Sequence, residues 1–135
     1  MSEQIKIETT VKSPVNKVWE YYTNPAHITR WNFATDDWTC PSSENDLRTG
    51  GKFTSRMEAK DGSMGFDFGG TYTNVVDKKL IEYTMDDNRT VSVAFQENND
   101  KTLVTVVFDA EEQNSIEMQK NGWQAILNNF KTYTE

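Results

Sequence analysis

Ser115-Ile116-Glu117-Met118-Gln119-Lys120-Asn121-Gly122-Trp123-Gln124-Ala125-Ile126-Leu127-Asn128-Asn129-Phe130-Lys131-Thr132-Tyr133 is the stretch that decides the fold. Ile116, Trp123, Ile126, Leu127 and Phe130 fall on one stripe at helical spacing, with Met118 and Ala125 beside it. One long C-terminal helix is therefore expected. Gly122 interrupts it at a cost of about 1 kcal/mol relative to Ala. The expected reason is close approach of the helix to whatever it covers.

What it covers is written upstream. Gln4 to Val11 alternates Ile5, Ile7, Thr9 and Val11 with polar neighbours, the period of a strand with one wet face. Ser13-Pro14 then reads as a cap followed by the first helical residue, and Val15, Val18, Trp19 and Tyr22 make one helical stripe. Asn24-Pro25 ends that helix and caps a second, Ala26 to Trp31, with Ile28 and Trp31 on one side. Phe33 to Asp46, containing Asp36, Asp37, Trp38, Cys40 and Pro41, reads as a long polar loop. Five strands separated by turn residues follow: Gly51 to Ala59, Phe66 to Val76, Leu80 to Met85, Arg89 to Glu97 and Thr102 to Asp109. Short connections make them antiparallel neighbours. The fold class is α+β: a curved six-stranded antiparallel sheet around the last helix, in one domain over residues 1–135. A curved sheet and a long helix do not match everywhere, so a space between them is expected.

Composition narrows the function. Four Trp, five Tyr and seven Phe in 135 residues supply the bulky groups that a disordered chain lacks. The net charge of −7, with no run of basic residues longer than Lys78-Lys79, argues against nucleic acid and anionic membrane surfaces as partners. No stretch approaches the roughly 20 apolar residues of a spanning helix. The start, Met1-Ser2-Glu3-Gln4, has no signal-peptide pattern, and a lone Cys40 allows no internal disulfide, so a cytoplasmic protein is expected. His27 is the only histidine, and phosphate-loop and dinucleotide patterns are missing. No catalytic set, metal site or cofactor is expected.

The chain resembles a known family in three places. These are Ser13-Pro14-Val15-Asn16-Lys17-Val18-Trp19 leading to Trp31, Asp46-Leu47-Arg48-Thr49-Gly50-Gly51-Lys52-Phe53, and Gly122-Trp123-Gln124-Ala125-Ile126-Leu127-Asn128-Asn129-Phe130. Together with the element order they are similar to the helix-grip fold of the START-like, or Bet v 1-like (SRPBCC), superfamily. The bacterial branch related to the C-terminal domain of the activator of heat-shock protein 90 ATPase is the nearest in pattern. The resemblance implies a fold and a cavity for a hydrophobic small molecule, not a reaction, and it carries no catalytic residues over.

The residues expected to line that cavity are Trp31, Phe53, Met57, Phe66, Phe68, Tyr83, Val93, Phe95, Trp123 and Leu127. Trp31, at the end of the short second helix where such a fold closes its chamber, is expected to act as a gate or as lining. Trp123 and Leu127 are read either as lining or as plain core, which partly coincide in this fold. Tyr83 either orients a ligand oxygen or is a satisfied core phenol. Gly70 and Tyr72 share the inward face of their strand with Phe66 and Phe68. Arg56, Asp67 and Glu82 are expected on the outer face by alternation. Asp36, Asp37 and Cys40 read as loop surface, and His27 as a solvated helix residue. Two alternatives stand beside small-molecule binding: a protein-interaction module of co-chaperone type, supported only by the family resemblance and the acidic surface, and a polyketide aromatase or cyclase, which needs an acid or base beside the ligand.

Overall fold

The computed structural model describes residues 3–135. Met1 and Ser2, which open the polar N-terminal stretch, lie outside the described residues. The chain runs β1 (Gln4–Val11), α1 (Val15–Thr23), α2 (Pro25–Trp31), β2 (Trp38–Asn45), β3 (Lys52–Ala59), β4 (Gly65–Val76), β5 (Leu80–Met85), β6 (Thr90–Asn98), β7 (Lys101–Asp109) and α3 (Ile116–Thr134). The strands form one antiparallel sheet in the order β1-β7-β6-β5-β4-β3-β2, in which β7 returns to pair with β1. This is the helix-grip arrangement, with seven strands and not six.

The added strand is β2, within the stretch read as loop. Its sequence, Trp-Thr-Cys-Pro-Ser-Ser-Glu-Asn, lacks apolar alternation because it is a sheet edge. Pro41 is tolerated there because the register shifts between Thr39, opposite Glu58, and Ser42, opposite Arg56. A residue without an N–H sits most easily in such a bulge on an edge strand. A second bulge, between Tyr72 and Asn74 on β4, reverses the strand's faces. Phe68 and Tyr72 pack inward before it, and Val75 does so after it.

Helix ends are fixed by identifiable groups. α1 starts one residue later than expected, and the Ser13 side chain makes no cap. Instead Glu97 on β6 accepts from the Val15 N–H at 2.9 Å, and Thr102 donates to the Ser13 carbonyl at 2.9 Å. The Asn24 side chain caps α2 through Ala26 N–H, and Ser115 caps α3 through Met118 N–H. Asn99 and Asp100, with φ of 53° and 64°, form the tight β6–β7 hairpin in the left-handed conformation that Asn and Asp tolerate. α3 crosses beside β1 and is tied to the end of α2, where Asn129 donates to the carbonyls of Trp31 and Phe33 at 3.3 and 3.2 Å.

The core lies between the sheet's concave face and the helices. Val11, Val18, Val93, Val104, Phe108 and Phe130 are fully buried. Each such side chain removed from water contributes about 1.5–3 kcal/mol before entropy is counted. Gly122 departs from expectation: a Cβ there would meet nothing within 4 Å. Close approach is required instead at Gly70, where a Cβ would lie 2.5 Å from the Thr84 carbonyl oxygen and 3.2 Å from the Phe53 ring.

Candidate functional site

A cavity of about 120 Å³ lies between the sheet and the helices. The sheet wall carries Phe53, Phe68, Tyr72, Ile81 and Tyr83, with Ile7 and Val106 from the β1–β7 side. α3 contributes Trp123, Ile126 and Leu127, and α1 and α2 contribute Tyr22, Ile28 and Trp31. Polar residues gather toward β2: Thr23 and Asn32 at the helix ends, Ser43, Glu44 and Asn45 on β2, and Ser55 of β3 paired with Ser43.

Phe53 is the hub of the aromatic wall. Its ring lies 4.7 Å from Tyr83, 5.2 Å from Tyr72 and 5.8 Å from Phe68, centroid to centroid. The Tyr83 and Phe68 contacts are edge-on and the Tyr72 contact is tilted, and together they fix the ring's orientation and leave it little freedom to collapse into the space. Trp31 is anchored by its indole N–H, which donates to the Tyr21 carbonyl at 2.9 Å, and its ring meets Phe130 edge-on at 4.9 Å. That fixed wall position is at odds with a mobile gate.

Three phenols converge on the chamber. Tyr72 donates to Asn45 Oδ1 at 2.5 Å, and Asn45 Nδ2 donates to the Thr23 carbonyl at 2.7 Å. A carbonyl can only accept, so Thr23 sets the amide's orientation and turns its oxygen toward Tyr72. The turn Asp46–Gly51 holds this pair in place. Arg48 folds onto Asp46 at 2.9 Å, Gly50 N–H donates to the Tyr72 carbonyl at 2.8 Å, and Tyr72 N–H donates to the Gly51 carbonyl at 2.9 Å. Tyr22 and Tyr83 have no side-chain hydrogen bond among the described residues. Burial pushes all three phenols above their ordinary pKa, and Tyr22 adds to the rise at both Tyr72 and Tyr83.

Residues 12–135 match the family described as Activator of Hsp90 ATPase homolog 1-like protein. The chain belongs to this family. A solution NMR structure of an AHSA1-like protein from Aeromonas hydrophila is 43% identical, with a TM-score of 0.91 over 97% of this chain and 91% of that one. A solution structure from Cytophaga hutchinsonii is 51% identical, with a TM-score of 0.85 over 98% of this chain and 92% of that one. A crystal structure from Chromobacterium violaceum, 20% identical with a TM-score of 0.86 over 96% of each chain, shares the fold. No curated protein matches the chain.

In this AHSA1-like domain the structure brings Trp31, Phe53, Phe68, Tyr83, Trp123 and Leu127 together around the cavity. Four expected residues lie elsewhere. Phe66 shares the parity of Phe68 but is 52% exposed, beside Trp38 near the start of β4. Met57 is buried opposite the β2 bulge, apart from the main core. Val93 packs in the sheet between Ile81 and Val106, and Phe95 sits under α1 against Trp19 and Tyr22. Arg56 pairs outside the cavity with Glu58 at 2.9 Å and Asp67 at 3.4 Å, and Glu82 accepts from Asn74.

Two surface readings are corrected. Cys40 is only 2% exposed, and burial pushes its thiol pKa up, the opposite of a reactive thiolate. His27 stacks on Tyr21 with centroids 3.9 Å apart, and its Nδ1 lies 2.7 Å from the Tyr133 hydroxyl, so it joins α2 to α1 and α3. Among the described residues no cluster of three His, Cys, Asp or Glu stands ready for a metal, and no helix is long and apolar enough to cross a membrane. The site residues missed from sequence are Tyr22, Asn45 and, as a lining residue, Tyr72. A buried phenol's need for a partner was the signal that could have paired Tyr72 with a polar residue.

Proposed function

We propose that this AHSA1-like domain binds a small apolar or amphipathic molecule in the chamber between its sheet and α3. The observation that carries the reading is a cavity of about 120 Å³ walled by aromatic and aliphatic side chains with a few polar groups among them. Ligand sites generally combine an apolar lining with a few placed polar groups. The ionisable side chains on the lining are phenols and the exposed Glu44, and Arg56, Asp67 and Glu82 lie outside it. That supports binding over acid–base catalysis of a cyclase kind.

The test is thermal unfolding with and without toluene. A ligand at 100 times its Kd stabilises the native state by about 2.7 kcal/mol, which raises Tm by several degrees. A saturable rise in Tm supports the reading, and an unchanged or lowered Tm at saturating toluene counts against it.

A second reading, an interaction module of co-chaperone type, is favoured by one surface feature. Met64 and Phe66, 65% and 52% exposed, are two large apolar residues left in solvent at and just after the β3–β4 turn. Stimulation of a chaperone ATPase that is lost in Phe66→Ser would support it, and no binding or stimulation would end it.

A further inference from the structure

Tyr83 is only 8% exposed, lines the chamber, and its hydroxyl has no hydrogen-bond partner among the described residues. That hydroxyl keeps contact with open space, so its proton is free for whatever occupies the chamber. Tyr22, half-buried on the helix side of the same chamber, also has no side-chain hydrogen bond among the described residues. Tyr72 does not, because its proton is committed to Asn45 and Asn45 is committed to Thr23. Of the chamber's three phenols, two therefore offer uncommitted O–H donors. Desolvation keeps both protonated at neutral pH, so they present protons and not negative charge.

The rest of the lining sets the charge and size of what they meet. It contains no Lys, Arg or His, and its one charged residue, Glu44, is acidic. A carboxylate would enter without a countercharge, at a large desolvation cost. An ammonium would find only exposed Glu44 on the polar side. A neutral acceptor avoids both costs. The volume, about 120 Å³, is of the order of the roughly 150 Å³ engineered cavity that takes up benzene, which suits one ring and not a sterol or a long acyl chain.

We infer that the chamber selects a neutral, single-ring aromatic carbonyl compound, whose oxygen accepts hydrogen bonds from Tyr22 and Tyr83 while Phe53, Phe68 and Trp123 enclose its ring. A carbonyl oxygen has two lone pairs, one for each phenol. The inference rests on the small-molecule reading above and adds the ligand's charge, size and polar group.

Acetophenone and α-methylstyrene test it, because they differ by replacement of the carbonyl oxygen with a methylene group. Their affinities are measured by calorimetric titration of the full chain, the Tyr83→Phe and Tyr22→Phe variants, and the double variant. Acetophenone is the better hydrated in water, so the readout is the ratio of the two affinities across variants. Each lost phenol should lower the ketone-to-alkene ratio by about tenfold, the size of one buried hydrogen bond. Benzoate should bind more weakly than acetophenone. A ratio unchanged in both single variants, or benzoate binding as tightly as acetophenone, overturns the inference and leaves the small-molecule reading standing. If neither acetophenone nor α-methylstyrene binds the unaltered chain, that reading falls as well. Amide spectra confirm that each variant is folded, and Tyr22→Phe carries the test if Tyr83→Phe is not.

Discussion

Trp123 on α3 stacks face to face on Phe108 of β7, with ring centroids 3.9 Å apart and planes 9° from parallel. Phe68 meets the same indole edge-on at 6.2 Å. One side chain thus clamps the helix to the sheet and serves as chamber wall. Trp123→Ala should destabilise the domain by about 2–3 kcal/mol, less than the ~3–5 kcal/mol of a fully buried Trp because the residue is only half-buried. Urea unfolding checks it. The midpoint should fall with little change in slope.

Gly122 sits one residue before that clamp with open space around its Cα. Gly122→Ala should stabilise the domain by up to about 1 kcal/mol, through lower backbone entropy in the unfolded chain and better helix propensity. A loss of stability on urea unfolding would mean that the helix needs the glycine for a reason its surroundings do not show.

The two residues illustrate what was readable from the sequence. Ile126, Leu127 and Phe130 announce the helix and its buried face through spacing alone, and alternation in β1, β5 and β7 does the same for the sheet. Alternation tells which face a residue takes, but not how far along a strand the helices reach, which is why Phe66 is exposed although Phe68 lines the chamber. β2 was invisible because an edge strand with Pro41 in a bulge needs no apolar pattern. Asn45 and the inter-helix position of His27 were hidden for a related reason. Their roles depend on partners 27 and 106 positions away, Tyr72 and Tyr133, and no local signal carries such pairings.

The buried phenols give the domain an alkaline limit. Burial raises Tyr22, Tyr72 and Tyr83 above the ordinary value of 10.0, while the unfolded chain ionises near it. Stability is then full below that value and is lost as pH rises through it toward the folded values, by up to about 1.4 kcal/mol per phenol per pH unit. Phenolate absorbance from these residues should appear together with unfolding, and Tyr83→Phe should move that transition to higher pH. Full ionisation near 10 with the near-ultraviolet circular dichroism intact would contradict the burial.

Asp109 gives an acid limit of opposite sign. The Thr90 N–H and hydroxyl, each 2.8 Å from its carboxylate, and the Gln4 amide hold its pKa below the ordinary value. Its contribution is present above the unfolded pKa and is lost as pH falls toward the lower folded one. Asp109→Asn should therefore reduce the fall in urea midpoint between neutral and acid pH. An identical fall in both proteins would show that the pairing between β6 and β7 does not draw on this charge.

The central claim is that the space enclosed by Phe53, Tyr83 and Trp123 accepts a ligand, and amide chemical shifts followed during toluene addition test it most directly. The account predicts saturable shifts at Phe68, Tyr83, Trp123 and Leu127, with Asp109 and Glu58 unmoved. Shifts confined to Met64 and Phe66, or no saturable shift at any chamber residue, would contradict it.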